Sequence, residues 1–352
     1  MTKPATRAAG GPVDLVLEGG GVKGIALVGA LAVLDERGYR FQNLAGTSAG
    51  AITAALVAAG YTPPELLKIL LDLELEQFED KTWEDHIPLV GQPLSVLAEK
   101  GINKGQRFLE WIHGLLEAKG IHTFADLVNQ EADDPRYRYR LRVIASDITG
   151  HRLLKLPQDA EAFGADPDEL SVAEAVRMSM GIPIFFEPWH WRSKAVGEAR
   201  AKDHLIVDGG LLSNFPVWIF DSDGKPRWPT FGLMLVEPEP KESVAARLGE
   251  ARTDTDIVTY GKDLILTMVE AHDRMYLEND TFVRTIPIPT LGVRTTDFNI
   301  DAATKKALYE SGREAAGDFL GRWDPAAYVN SFGAHQLPSR SQLIKEGERE
   351  AR

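Results

Sequence analysis

The 352-residue chain predicts an α/β fold, a central mostly parallel sheet flanked by helices. Three observations predict it. Short apolar runs at 14–18 and 41–45, closed by glycines, have the length and flanks of buried strands. Each is followed by a helical segment, and a β-α-β-α order places consecutive strands parallel with helices on the faces. Hydrophobic residues make up 44% and charged residues 26%, enough to fill a sizeable core.

The elements follow in order. Asp14-Leu15-Val16-Leu17-Glu18 is the first strand. Residues 24–37 carry Ile25, Val28, Leu31, Ala32 and Leu34 at helical spacing and stop at Gly38. The second strand, 41–45, ends just before Ser48. Residues 49–59 form a small-residue helix, and Pro63 and Pro64 open another that runs to about Gln77. Residues 139–148 alternate as a strand, with 151–156 returning as a hairpin across Thr149-Gly150. A helix at 171–180 precedes a strand at 204–207 that ends on Asp208. Then come a strand at 230–236, a long helix at 254–279, a strand at 281–288 and a closing helix at 301–320. Residues 1–12 read as a disordered N-terminal tail, 13–320 as one domain, and 321–352 as a polar C-terminal tail.

Composition excludes several functions. Lys plus Arg number 39 and Asp plus Glu 52, so the net charge is 39 − 52 = −13. A nucleic-acid partner needs a basic stripe, which this balance opposes. Electrostatic docking on anionic lipid is opposed too, so any membrane contact is expected to be local, apolar and transient. There are no cysteines, which excludes disulfides, thiolate metal sites and a cysteine nucleophile. No cofactor or metal is expected. The first eleven residues hold two cations and no apolar run, unlike a secretory signal. The most apolar stretch, 49–60, is too short to span a bilayer. A soluble, cytoplasmic protein, peripheral at a membrane at most, is expected.

Gly46-Thr47-Ser48-Ala49-Gly50 lies between a strand and a helix, the setting of a nucleophile elbow. A sharp turn there projects the Ser48 hydroxyl, and the flanking Gly46 and Gly50 let backbone pass closely; a plain Gly/Ser loop is the alternative. Gly19-Gly20-Gly21-Val22-Lys23-Gly24 also fits a dinucleotide fingerprint. That reading wants an acidic residue at the end of the second strand, which closes instead on Asn43-Leu44-Ala45-Gly46. As an oxyanion hole, N–H groups around Gly20, Gly21 and Val22 would converge at a helix start, where the dipole favours negative charge. Lys23 either supports this loop or is a solvated helix-start residue.

A serine nucleophile needs a base. Asp208-Gly209-Gly210 closes an apolar strand and offers one; a turn aspartate is the rival reading. Of the eight histidines only His272 and His335 follow Ser48 and Asp208 in Ser…Asp…His order. The first lies in the long helix and the second in the polar tail, which favours a Ser–Asp pair without histidine. Residues 78–90, with Trp83, Ile87 and Leu89, read either as a lid or as an ordinary packed connection. Trp189 and Trp191, flanking His190, read as a second apolar rim.

The three segments in this order resemble the patatin-like phospholipase family, bacterial branch. Similar too are Ala145-Ser146-Asp147-Ile148-Thr149-Gly150, Arg177-Met178-Ser179 with Pro183 and Phe185, and Ser213-Asn214-Phe215-Pro216. The resemblance spans roughly 13–320. It implies a fold related to the cytosolic phospholipase A2 catalytic domain. It implies a Ser48–Asp208 dyad, an oxyanion hole lined by Gly19, Gly20 and Gly21, and supporting roles for Lys23, Gly24, Gly46, Gly50, Gly209 and Gly210. Lipid acyl hydrolysis without a metal follows, with phospholipid as the usual substrate. Another acyl ester or thioester, or lipid binding without turnover, are the alternatives. Lys23 stands where many members have Arg, and Met178 where many have Ala.

Overall fold

A computed structural model describes residues 10–73, 102–195, 201–237 and 283–334, apart from 131, 133, 184, 222–225, 296 and 298. Its centre is a mixed eight-stranded sheet of order β5-β6-β3-β2-β1-β7-β8, with β4 also on β3. The strands are β1 (Pro12–Leu17), β2 (Arg40–Thr47), β3 (Leu141–Asp147), β4 (Arg152–Leu156), β5 (Trp189–Arg192), β6 (Asp203–Asp208), β7 (Thr230–Val236) and β8 (Thr285–Pro289). From β3 through β2, β1 and β7 to β8 every pairing is parallel. The other end is antiparallel: β4 and β6 on β3, and β5 on β6.

Both faces of the parallel half are covered. Leu15, Leu17, Leu44, Val143, Leu233 and Leu235 point into the larger core, while the alternate residues Val16, Ala45, Ile144 and Met234 enter a second one with Phe215 and Phe220. Period-2 alternation between two apolar layers makes these strands read as continuous hydrophobic runs. Helix α1 (Gly24–Glu36) is buried from Gly24 to Leu34 because it lies between the sheet and α6 (Ala302–Arg322). The others are α2 (Ala49–Ala58), α3 (Pro63–Asp72), α4 (Ile102–Glu117), α5 (Val172–Ser179) and α7 (Pro325–Ala334). Thr62 and Glu65 close a capping box on α3. Asp301 caps α6 by accepting from the Thr304 N–H at 2.7 Å.

Most sequence-predicted strands and helices fall where expected within a few residues, with these differences. The helix opened by Pro63 and Pro64 stops at Asp72, where Leu73 turns extended, rather than at about Gln77, and α4 had no counterpart among the expected elements. The strand before Ser48 runs to Thr47, so the serine follows it directly. Trp189 and Trp191, expected at an apolar rim, lie on the edge strand β5, where Trp191 stacks on Phe163 at 4.3 Å. The polar stretch from Gly321 is not all tail. Its first part continues into α7, where Tyr328 is buried and its hydroxyl accepts from the Thr230 N–H at 3.0 Å. Trp323 meets Phe231 edge-on at 4.7 Å. At the other end, Gly10 donates to Arg37 O at 3.1 Å and β1 begins at Pro12, so residues 10–12 belong to the domain. The helix expected at 254–279 and the segment 78–90 lie outside the described residues, as do His86, His272 and His335.

Candidate active site

Ser48 joins β2 to α2 with φ 52° and ψ −124°. A side chain at positive φ is strained by about 1–3 kcal/mol and persists only where its surroundings hold it. Here they do. The Ser48 N–H donates to Ser179 Oγ at 2.9 Å, and the Thr47 hydroxyl donates to Ser213 O at 3.2 Å. The Ser48 carbonyl accepts from Ala51 N at 2.9 Å, starting α2. The arms of the turn touch backbone to backbone. A Cβ on Gly46 would stand 2.3 Å from Gly50 O, and one on Gly50 would stand 2.3 Å from Leu17 O. Gly24 begins α1 against Ala49, 3.3 Å from where its own Cβ would be.

Asp208 arrives at the same place from another strand. A strand has two edges. β2 lies against Leu141–Ile144 and β4 against Val143–Asp147, so those two strands occupy opposite edges of β3. β6 pairs with Ala145–Asp147, overlapping β4, and therefore shares the edge of β2. Thr47 faces Ile144, and Asp208 faces the next residue, Ala145. The C-terminal ends of β2 and β6 thus meet head to head, one residue step apart, about 3.3 Å of rise. Gly209 allows the meeting, since a Cβ there would lie 2.3 Å from Ile144 O.

Asp208 is 2% exposed. Its Oδ1 accepts from Gly210 N–H at 2.7 Å, and its own N–H donates to Gly181 O at 3.0 Å. Burial pushes its pKa up to about 7, against the opposing pull of the Ser48 hydroxyl and the Gly210 N–H. The Ser48 hydroxyl is near enough to favour the carboxylate, yet Oδ2 lacks a partner at hydrogen-bond distance among the described residues. The arrangement offers a buried, proton-hungry oxygen beside a strained serine.

The glycine loop is clamped from two sides. Gly19 N–H donates to Asn214 O at 3.2 Å, and Asn214 Nδ2 donates to Gly19 O at 3.0 Å. Gly21 sits at φ 52°, with Thr295 O 2.2 Å from where a Cβ would stand, and Val22 N–H donates to the same oxygen at 3.4 Å. The N–H groups of Gly19 and Val22 are therefore engaged, and those of Gly20 and Gly21 have no such bond among the described residues. Lys23 is 3% exposed with its ammonium 3.9 Å from Glu237, which removes the solvated reading of that residue. Ser179, Asn214 and Thr295 were not singled out as site residues from sequence. Only the first two lie in segments with a recognisable pattern, Arg177-Met178-Ser179 and Ser213-Asn214-Phe215-Pro216.

One described histidine does pair with a buried carboxylate: His204 Nδ1 lies 2.9 Å from Asp147 Oδ2. It stands four residues before Asp208 on β6, about 13 Å along the strand. No group of three or more His, Asp or Glu residues among those described is placed to hold a metal ion.

The family model for patatin-like phospholipases matches residues 15–221, which include the glycine loop, Ser48 and Asp208. The chain belongs to the patatin-like phospholipase family. Two relatives agree along nearly the whole length. The Bacillus subtilis protein YqhO is 39% identical over 312 residues, 88% of this chain and 99% of that one. A cUMP-AMP-activated phospholipase of Escherichia coli is 36% identical over 86% of this chain and 90% of its own. Among solved structures, VipD from Legionella pneumophila superposes with a TM-score of 0.50 at 19% identity, covering 88% of this chain and 67% of VipD. That likeness concerns the patatin-like fold. No described helix is long and apolar enough to cross a membrane.

Proposed function

We propose that this patatin-like protein hydrolyses acyl esters of glycerophospholipids through Ser48 and Asp208. The observation that carries the reading is the meeting of β2 and β6 on one edge of β3, which puts the unpartnered Asp208 Oδ2 beside the Ser48 turn. Ser48 Oγ attacks the ester carbonyl and passes its proton to Asp208. The carbonyl oxygen becomes an oxyanion facing the Gly20 and Gly21 N–H groups at the start of α1, where fixed donors stabilise developing charge. Gly19 shapes that loop, its own N–H being held by Asn214.

Collapse of the tetrahedral intermediate breaks the C–O bond. Asp208 returns the proton to the leaving lysolipid alcohol, leaving acyl-Ser48. Asp208 then takes a proton from water, whose oxygen attacks the acyl carbon; the acyl C–Oγ bond breaks, Asp208 returns that proton to Ser48 Oγ, and the fatty acid leaves. One carboxyl acts as base twice and acid twice, and its upward-shifted pKa suits it to both near neutral pH. A phospholipid substrate is supported by the Escherichia coli relative, which is named for phospholipase activity and aligns over 90% of its length.

The test is product analysis by mass spectrometry on a panel of defined phospholipid vesicles, with Ser48→Ala and Asp208→Asn as paired variants. Free fatty acid and lysolipid from the wild type, absent from both folded variants, are expected. A fluorophosphonate probe should label Ser48. Turnover confined to soluble short-chain esters would replace the phospholipid by another acyl substrate. Full activity in Asp208→Asn would remove the dyad.

A further inference from the structure

We infer that the turn Ser179–Gly181, at the end of α5, is the device that sets the spacing between nucleophile and base, with Ser179 as a positioning residue. The inference rests on the dyad reading above. Three contacts carry it. Ser48 N–H donates to Ser179 Oγ at 2.9 Å. Ser179 Oγ donates in turn to Ile144 O at 2.6 Å. Two residues on, Gly181 O accepts the Asp208 N–H at 3.0 Å. One three-residue turn therefore holds the backbone amide of each member of the pair.

The proton arrangement at Ser179 leaves no ambiguity. A backbone N–H only donates and a carbonyl only accepts, so the hydroxyl must accept from Ser48 and donate to Ile144. Ser179 has no exposed surface, so water cannot substitute for either bond without opening the core. Ile144 is also the residue whose carbonyl Gly209 packs against, immediately after Asp208. Both halves of the site are thus referenced to one peptide group of β3, the point where β2 hands its edge to β6.

The turn itself is anchored. Met180 N–H bonds to Val176 O at 3.0 Å as the helix closes, and Arg177 reaches across to donate to Glu187 O at 2.8 Å. Its guanidinium also lies over the Phe186 ring, 5.4 Å from the centroid. Without the Ser179 hydroxyl, the Ser48 N–H loses its partner and the strained turn loses the contact that ties it to β3. The backbone at 48 then relaxes, and the Ser48 hydroxyl moves relative to Asp208. A residue that never touches substrate acts here through the placement of one that does.

The experiment compares Ser179→Ala and Ser179→Cys with the wild type. Cysteine fills the site, with a sulfur somewhat larger than the hydroxyl oxygen, but hydrogen-bonds weakly, whereas alanine leaves it empty; comparing the two separates bonding from packing. Expected are a drop in kcat and in the rate of fluorophosphonate labelling of about 10- to 100-fold, with KM little changed. Cys should track Ala. The acid limb of kcat/KM should move to higher pH in both, because the Ser48 hydroxyl that favours the Asp208 carboxylate has moved away. Circular dichroism and thermal melts confirm that the variants fold. Wild-type kcat and an unmoved acid limb in Ser179→Ala would overturn the inference, as would full activity in Ser179→Cys, which would assign the loss to packing. Ser48→Ala is run alongside: if it still turns over substrate, the dyad itself fails.

Discussion

Asp208 takes the position on the edge of β3 that Ser48 leaves empty. Thr47 pairs with Ile144, so a longer β2 would set residue 48 opposite Ala145; the chain turns away at φ 52°, and Asp208 pairs with Ala145 instead. Two strands that run toward each other and stop within one residue step bring their terminal side chains together. The pair is a consequence of sheet topology rather than of sequence proximity, since 208 − 48 = 160 residues separate them. A parallel strand and an antiparallel strand must share one edge for this to happen, so the site belongs to the mixed part of the sheet.

The first prediction concerns the pH dependence of turnover. In the proposed mechanism Asp208 acts as a base only when ionised, and burial holds its pKa up at about 7. The free enzyme's kcat/KM should therefore rise with pH, with a midpoint near 7 rather than near the ordinary 3.8 of an aspartate. Below that midpoint the slope approaches tenfold per pH unit. A midpoint near 4 on a soluble ester would show that burial does not hold the Asp208 carboxyl above the ordinary aspartate range.

The same carboxyl makes a separate prediction about stability. Its folded pKa lies above its unfolded one, so between about pH 4 and about 7 the folded state binds the extra proton. Stability is fully present below the unfolded value and is lost as pH rises through the folded value. Asp208→Asn removes the group that must ionise. Its melting temperature relative to wild type should climb from pH 4 to 7 and level off above. Parallel curves for the two proteins across that range would contradict the buried, neutral resting state.

A third prediction tests the absence of histidine from the chemistry. His204 pairs with Asp147, a carboxylate that also accepts from Thr149 N, Gly150 N and Arg152 Nε. The cluster secures the β3–β4 turn against β6, far from Ser48. His204→Ala should lower the melting temperature while leaving kcat within a few-fold of wild type. Loss of turnover in a variant that remains folded would bring His204 into the mechanism.

Much of this was legible in the sequence, and the parts that were not share a cause. Strands such as 14–18 and helices such as 24–37 declare themselves because apolar period and glycine punctuation are local signals. Gly46, Ser48 and Gly50 declare the elbow for the same reason. The shared edge of β3 is not local: nothing in Thr47 or Asp208 names Ile144 and Ala145 as their partners. Ser179 was visible only as part of a family-like segment. Its bond to the Ser48 N–H joins residues 131 positions apart and leaves no periodic trace. Lys23 was ambiguous because a cation at a helix start is usually solvated, and only packing shows that it is buried. The polar composition after Gly321 concealed Trp323 and Tyr328, two aromatic anchors that dock α7.

The last prediction separates the strain at Ser48 from its chemistry. Both Ser48→Ala and Ser48→Gly remove the proposed nucleophile and should be inactive. They differ in backbone. Alanine keeps a Cβ at φ 52° and therefore keeps the strain, whereas glycine adopts that conformation without the steric penalty. Glycine's greater freedom in the unfolded chain offsets part of the gain. The net expectation is that Ser48→Gly is more stable than Ser48→Ala by about 1 kcal/mol. For domains of 150–250 residues such a difference moves the melting temperature by about 2–4 °C, and in this larger domain by somewhat less. Denaturant titration of the two variants measures it directly. If Ser48→Ala proves equal or more stable, the turn carries no strain at residue 48, and the hydrogen bond from Ser48 N–H to Ser179 restrains a backbone already at rest.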